Sequence, residues 1–184
     1  MPFYNGPLSG DGTTPVHIVY LVDISGSMEE DGKIVMVRKA MENALQELRP
    51  GDFFNILYFS DQVSPFARTM CPVSSNTLRA ALGSLNVVEP QGATDLSNAL
   101  DLAFRQQDVT HILILTDGEP TEGITDFDAL AEFAQHHNSN NAHILTLGLN
   151  KDKVFKAEPL LRQLAADSHG TYHAIDVTQL NKTP

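Results

Sequence analysis

The sequence predicts an α/β fold: a doubly wound, mostly parallel central sheet of about six strands, flanked by helices. Three observations carry that expectation. Apolar runs of strand length alternate with segments of helical period. The runs are nearly continuous in apolar residues rather than alternating, which is the pattern of strands covered on both faces. And two of the runs, His17–Val22 and His111–Thr116, lead straight into Asp23 and Asp117. Polar groups at the carboxyl ends of strands are where open parallel sheets bind ligands.

The elements follow in order. Strands are expected at His17–Val22, Phe53–Phe59, His111–Thr116, Ala142–Leu149 and Thr171–Ile175, with a short one at Pro65–Met70. The first helix, Lys33–Leu48, sets Ile34, Val37, Met41, Leu45 and Leu48 on one stripe and stops at Pro50-Gly51. Asn76–Leu85 is a shorter helix. Ser97–Gln107 buries Leu100, Ala103 and Phe104. Asp126 caps a helix to His137 that buries Leu130, Phe133 and Ala134. Glu158–Ser168 carries Pro159 in its first turn, where proline is tolerated, and ends near Gly170. No repeat or low-complexity segment interrupts the series. Residues 1–14 read as an N-terminal extension and 15–184 as a single domain.

Composition narrows the functional classes. The 184 residues are 42% hydrophobic, enough for one core. The formal net charge of −11 leaves no basic stripe for phosphates, so no nucleic acid is expected as partner. An anionic membrane surface is disfavoured for the same reason. No apolar run reaches the roughly 20 residues a membrane helix needs, so no membrane insertion is expected. The first residues have neither the basic nor the apolar region of a signal peptide. Cys71 is the single cysteine, so no internal disulfide forms.

The chemistry lies in Asp23-Ile-Ser25-Gly-Ser27, which places one carboxylate and two hydroxyls directly after a buried strand. Ligands made only of oxygen suit a hard divalent cation such as Mg²⁺. Thr94, in Gly92-Ala-Thr94-Asp95, and Asp117, before Gly118-Glu119, offer further oxygens. His17 to Asp23 and His111 to Asp117 are both steps of six residues. If the two strands are neighbours, both carboxylates lie on one sheet edge, ~4.8 Å being the spacing of adjacent strands. Two such charges repel unless one is protonated or a cation lies between them.

Asp-x-Ser-x-Ser, a distant Thr and a distant Asp-Gly resemble the metal-ion-dependent adhesion site of von Willebrand factor type A domains. All of the pattern is present in order, as Asp23, Ser25, Ser27, Thr94 and Asp117. The resemblance spans about Pro15 to Asp176, and it implies a Rossmann-like three-layer fold. Within the family, Arg49-Pro-Gly-Asp52-Phe-Phe-Asn-Ile-Leu-Tyr-Phe59-Ser60 is similar to the group around inter-α-trypsin inhibitor heavy chains. The resemblance implies that Ser25 and Ser27 bind the metal directly, Thr94 directly or through water, and Asp23 and Asp117 through waters or directly. Mg²⁺ is the first choice, with Mn²⁺ or Ca²⁺ as alternatives. It further implies a non-catalytic module of a larger protein, whose metal takes a Glu or Asp carboxylate from a protein partner. A cell-surface, envelope or secreted location is favoured by the resemblance alone. Many adhesion-type members end in a long helix that couples metal geometry to affinity; here little chain follows Ile175.

Other features have plainer readings. Asp95 and Glu119 adjoin ligand positions and either orient ligands or serve as ordinary cap and surface groups. His17, His111 and His143 are explained as polar strand-end residues, and His136-His137 by the end of its helix. Met28 reads equally as recognition or core residue. Glu29, Glu30, Asp31, Asp61, Glu89, Asp95, Glu119 and Glu122 make the surrounding loops acidic. Any partner should therefore carry its carboxylate on a basic or neutral surface. The competing class is a metal-dependent phosphohydrolase using Asp23 as nucleophile. It suffers from Ser25 standing where such enzymes need a second Asp as general acid. No Gly-x-Ser-x-Gly or nucleotide-binding loop is present.

Overall fold

The computed structural model describes residues 14–150 and 155–176. The expected N-terminal extension, apart from Thr14, and the segment from 177 on lie outside them. The described strands are β1 (His17–Asp23), β2 (Phe53–Phe59), β3 (Val63–Pro65), β4 (Cys71–Pro72), β5 (His111–Thr116), β6 (His143–Asn150) and β7 (Tyr172–Asp176). The helices are α1 (Lys33–Gln46), α2 (Ser75–Val87), α3 (Leu96–Phe104), α4 (Phe127–His137) and α5 (Glu158–Asp167). A 3₁₀ segment, Gly26–Gly32, precedes α1 and breaks at Glu30 and Asp31. Its short turns had no periodic sequence signal.

The sheet runs β3-β2-β1-β5-β6-β7, with β4 also on β2. From β2 through β7 the pairs are parallel; β3 and β4 pair antiparallel with β2. The doubly wound, mostly parallel sheet is thus as expected. The strand expected at Pro65–Met70 is instead two short pieces on either side of it. Phe66 still donates its N–H to the Ile56 carbonyl, but the pairing lapses before it resumes at Cys71.

β1 is buried along nearly its whole length, and its alternate residues serve two cores. Ile18, Tyr20 and Val22 meet Val37, Met41 and Leu45 of α1 and Ala81 and Leu85 of α2. Val19 and Leu21 meet α3, Leu130 of α4 and Leu160 and Leu164 of α5. Helices therefore cover both faces, which is why these strands read as continuous apolar runs. In α1 the buried stripe is Met36, Val37, Ala40, Met41 and Leu45, with Ile34 only half-buried. The chain enters α1 through consecutive left-handed residues, Asp31 (φ 55°) and Gly32 (φ 74°).

One register differs from expectation and matters for the site. His111 lies opposite Ile18, not His17, so Val22 lies opposite Leu115. Asp23 therefore falls beside Thr116, and Asp117 reaches one residue further out. The strands are neighbours and both carboxylates lie at one edge, but they are staggered. Successive strand residues point to opposite faces, so equal spacing along two strands does not make their ends face each other.

Candidate metal centre

β1 and β5 are where the strand order reverses: β2 lies to one side of β1 and β5 to the other. The loops leaving their carboxyl ends diverge there and leave a crevice. Asp23 closes β1 and is 0% exposed. Its Oδ1 accepts the Ser25 N–H at 2.8 Å, and its Oδ2 accepts the Thr116 hydroxyl at 2.5 Å. Burial pushes the Asp23 carboxyl up to about 6; hydrogen bonds from Ser25 and Thr116 pull it back, and the charge of Asp117 adds to the rise.

Ser25 and Ser27 are brought together by the turn into the 3₁₀ segment, with Oγ atoms 3.1 Å apart. Ser27 donates its hydroxyl proton to Asp117 Oδ1 at 2.9 Å. A serine that gives its proton to a carboxylate keeps its lone pairs for a cation. Met28, the next residue, is fully buried in the core and so is not a recognition residue.

Thr94 arrives on the loop before α3, and two sets of backbone bonds hold that loop. Gly26 N–H donates to the Gly92 carbonyl at 3.1 Å and Gln91 N–H to the Ile24 carbonyl at 2.7 Å. On the other side Thr94 N–H donates to the Thr121 hydroxyl, while Thr121 N–H returns to the Thr94 carbonyl, both at 2.9 Å. Gly92 has φ 78°, a left-handed conformation in which a side chain would be strained, so the turn favours glycine. Thr94 is buried, yet no hydrogen bond reaches its hydroxyl among the described residues.

Ser27, Thr94 and Asp117 line one cleft of about 530 Å³, together with Lys33 and, on the far wall, Phe155 and Lys156. Ser25 adjoins this lining through its hydroxyl contact with Ser27, and Asp23 through its bond from the Ser25 N–H. The sequence-predicted residues thus gather in one place. Asp95 does not join them as a donor. Its Oδ1 accepts the Asn98 N–H at 3.0 Å and the Ser97 hydroxyl at 2.6 Å, so it caps α3. Glu119 lies at the rim, 3.9 Å from Lys156.

Sequence reasoning missed Thr116, Thr121 and Lys33. Thr116 is the one hydroxyl in an otherwise apolar β5, a signal available in hindsight. Lys33 was read only as the first residue of a helix. Its Nζ lies 2.7 Å from Asp117 Oδ2 and donates to the Ser27 carbonyl at 3.2 Å.

The donor set suits a hard cation: oxygens only, two of them carboxylates, with hydroxyls whose lone pairs are free. Among the described residues no three His, Cys, Asp or Glu side chains converge on a metal position. The fit thus depends on serine and threonine, not on carboxylates alone.

A family model described as "von Willebrand factor type A domain" matches residues 16–174. Human inter-alpha-trypsin inhibitor heavy chain H4 is 28% identical over 170 residues, covering 86% of this chain and 18% of the relative. The chain therefore spans under a fifth of that curated relative. A von Willebrand factor type A structure from Catenulispora acidiphila superposes with a TM-score of 0.77 at 21% identity, covering 91% of this chain and 40% of that one. Proximal thread matrix protein 1 from the mussel byssus, solved with a zinc-occupied MIDAS motif, gives 0.67 at 17% identity, covering 91% and 43%. Among the described residues no helix is long and apolar enough to cross a membrane.

Proposed function

The chain belongs to the von Willebrand factor type A family, and from that premise we propose that it is a non-catalytic binding module whose metal centre captures an acidic side chain of a protein partner. Ser25, Ser27 and Thr94 would hold a divalent cation, with Asp23 and Asp117 behind them; Mg²⁺ is the first choice and Mn²⁺ or Ca²⁺ the alternatives. Residues 15–184 form the module, within a larger protein, and a surface or secreted location follows from the relatives it resembles.

The observation that carries this reading is the bonded pair of serine hydroxyls beside Asp117, with Ser27, Thr94 and Asp117 lining one cleft. When bound, the cation supplies a positive point charge, only partly neutralised, for an incoming Glu or Asp carboxylate. The chain's own residues do the rest. The Asp117 carboxylate takes the Ser27 proton and so aims the hydroxyl. The bonds between the three loops hold Thr94 in place before a partner arrives, which lowers the ordering cost of binding. Glu30, Asp31 and Glu119 at the cleft rim select against acidic partner surfaces.

The phosphohydrolase reading is weaker. Asp23 is 0% exposed, its oxygens held by the Ser25 N–H and the Thr116 hydroxyl, so it is not open to a substrate for in-line attack. Lys33 reaches the cluster, but at Asp117 rather than at Asp23.

The test is a Mg²⁺ and Mn²⁺ titration read by melting temperature, in wild type and Asp23→Ala. A ligand that binds only the folded chain stabilises it by about 2.7 kcal/mol at 100 times its Kd. Wild type should gain that stabilisation and Asp23→Ala should lose it; a wild type indifferent to both ions sinks the metal reading. Capture of partners with Mg²⁺ and their release by EDTA tests the docking step. Hydrolysis of an aryl phosphate, lost in Asp23→Ala, would instead favour the enzyme.

A further inference from the structure

Lys33 is an unusual residue to find where it is. It is the first residue of α1, where the helix presents its positive end and a cation is disfavoured. The left-handed pair Asp31 and Gly32 turns the chain so that this lysine points back across the 3₁₀ segment. Its side chain is 12% exposed and that of Asp117 is 1% exposed, so the pair is largely withdrawn from water. An ammonium so placed needs a strong counter-charge, and Asp117 supplies it.

Both oxygens of Asp117 are already engaged within the chain: Oδ1 takes the Ser27 hydroxyl and Oδ2 takes Lys33. A divalent cation held by the serines would draw on the same carboxylate. We propose that Lys33 is the built-in counter-ion of the metal centre, sharing Asp117 with the incoming cation and thereby setting the affinity for it. This rests on the metal reading proposed above and concerns its regulation. Before the cation arrives, Lys33 neutralises a buried carboxylate that would otherwise be unpaired, keeping Asp117 aimed at Ser27. Once it arrives, two positive groups compete for one anion, and the lysine's repulsion weakens metal binding. Such a device lets the centre stay folded without metal and release it readily.

The sign of one measurement separates this from a merely structural lysine. Mg²⁺ affinity is measured by calorimetry for the 184-residue chain and for Lys33→Met, Lys33→Gln and Lys33→Arg. Removing the charge should tighten Mg²⁺ binding about tenfold, through loss of a like-charge contact. It should also lower the urea midpoint without metal, because Asp117 is left unpaired. Lys33→Arg should stay within about threefold of wild type. A structural lysine would give the opposite: Met and Gln variants that bind Mg²⁺ no better than wild type, or worse, overturn the proposal.

Wild type alone gives a second arm. Acetylation of Lys33 by an amine-reactive ester, followed by mass spectrometry, should run faster with Mg²⁺ than with EDTA; an equal or slower rate overturns the proposal even if the variants do not fold. A wild type that binds no Mg²⁺ in calorimetry removes the metal reading itself, and a wild type that binds with the variants unchanged removes only the role of Lys33.

Discussion

At the carboxyl ends of β1 and β5, Asp23, Ser25, Ser27 and Asp117 converge beside an open cleft. At the amino ends of β1, β5 and β6, His17, His111 and His143 also lie side by side, with the rings of His111 and His143 5.3 Å apart. The two clusters look alike in sequence: potential metal ligands at the ends of neighbouring strands. They differ in their surroundings: the carboxyl-end residues adjoin a cleft, whereas the amino-end rings pack against one another and against Phe53. His111 Nδ1 meets the Thr110 hydroxyl at 2.9 Å, His143 Nδ1 meets the Ser168 carbonyl at 3.0 Å, and the His17 ring lies against Phe53. Only His17 Nδ1 is left buried without a partner. At the carboxyl end the loops diverge and hydroxyl oxygens are left facing the cleft. Clustering makes a candidate; oxygen donors on an open cleft make a site.

Carboxylates give the sharpest form of the contrast. Asp52, at the amino end, accepts the Val16 N–H at 3.0 Å and the Arg49 N–H at 2.8 Å. Asp52→Ala should destabilise the fold by about 3 kcal/mol, since it strips charged acceptors from backbone donors. Its Mg²⁺ affinity should match wild type. Urea unfolding with and without Mg²⁺ measures both. Loss of metal response in this variant would break the distinction between the two edges.

A smaller net effect is expected from pH, because the edges pull in opposite directions. Asp23 rises from its ordinary 3.8 to about 6 in the fold, so the native chain holds more protons than the unfolded chain between those values. Its stabilising contribution is full below pH 3.8 and is lost as pH rises through 6. His111 falls from 6.5 to about 4, through burial and the nearby His143, so its contribution is full above 6.5 and is lost as pH falls through 4. Without metal the two slopes should largely cancel in wild type. His111→Gln should then leave stability declining between about pH 4 and 6, and Asp23→Asn should leave it rising. Melting temperatures across that range decide it; matching slopes in both variants would be inconsistent with this assignment.

The smallest effect concerns Asp95, one residue from Thr94. As the cap of α3 its loss should cost about 1 kcal/mol. Asp95→Ala should lower the urea midpoint and leave Mg²⁺ affinity within about twofold of wild type. A tenfold loss of affinity would move Asp95 from helix cap to part of the centre.

Much of the molecule was legible in the residues. Continuous apolar runs ending in Asp23 and before Asp117 specify buried parallel strands whose polar ends emerge at one edge, because burial on both faces leaves no polar residue inside the run. Asp23, Ser25, Ser27 and Asp117 were readable because oxygen donors stand out after strand ends, while Thr94, on the loop before α3, took its place from the order of the family pattern. What the tertiary structure alone decided depends on register and on chain direction. The one-residue stagger of β1 against β5 puts Thr116, not Asp117, beside Asp23. The left-handed turn at Asp31 and Gly32 sends Lys33 back to Asp117 rather than out to solvent. Neither is written in a spacing, since strand stagger and the sign of φ at a loop are set by what the neighbouring segments leave room for.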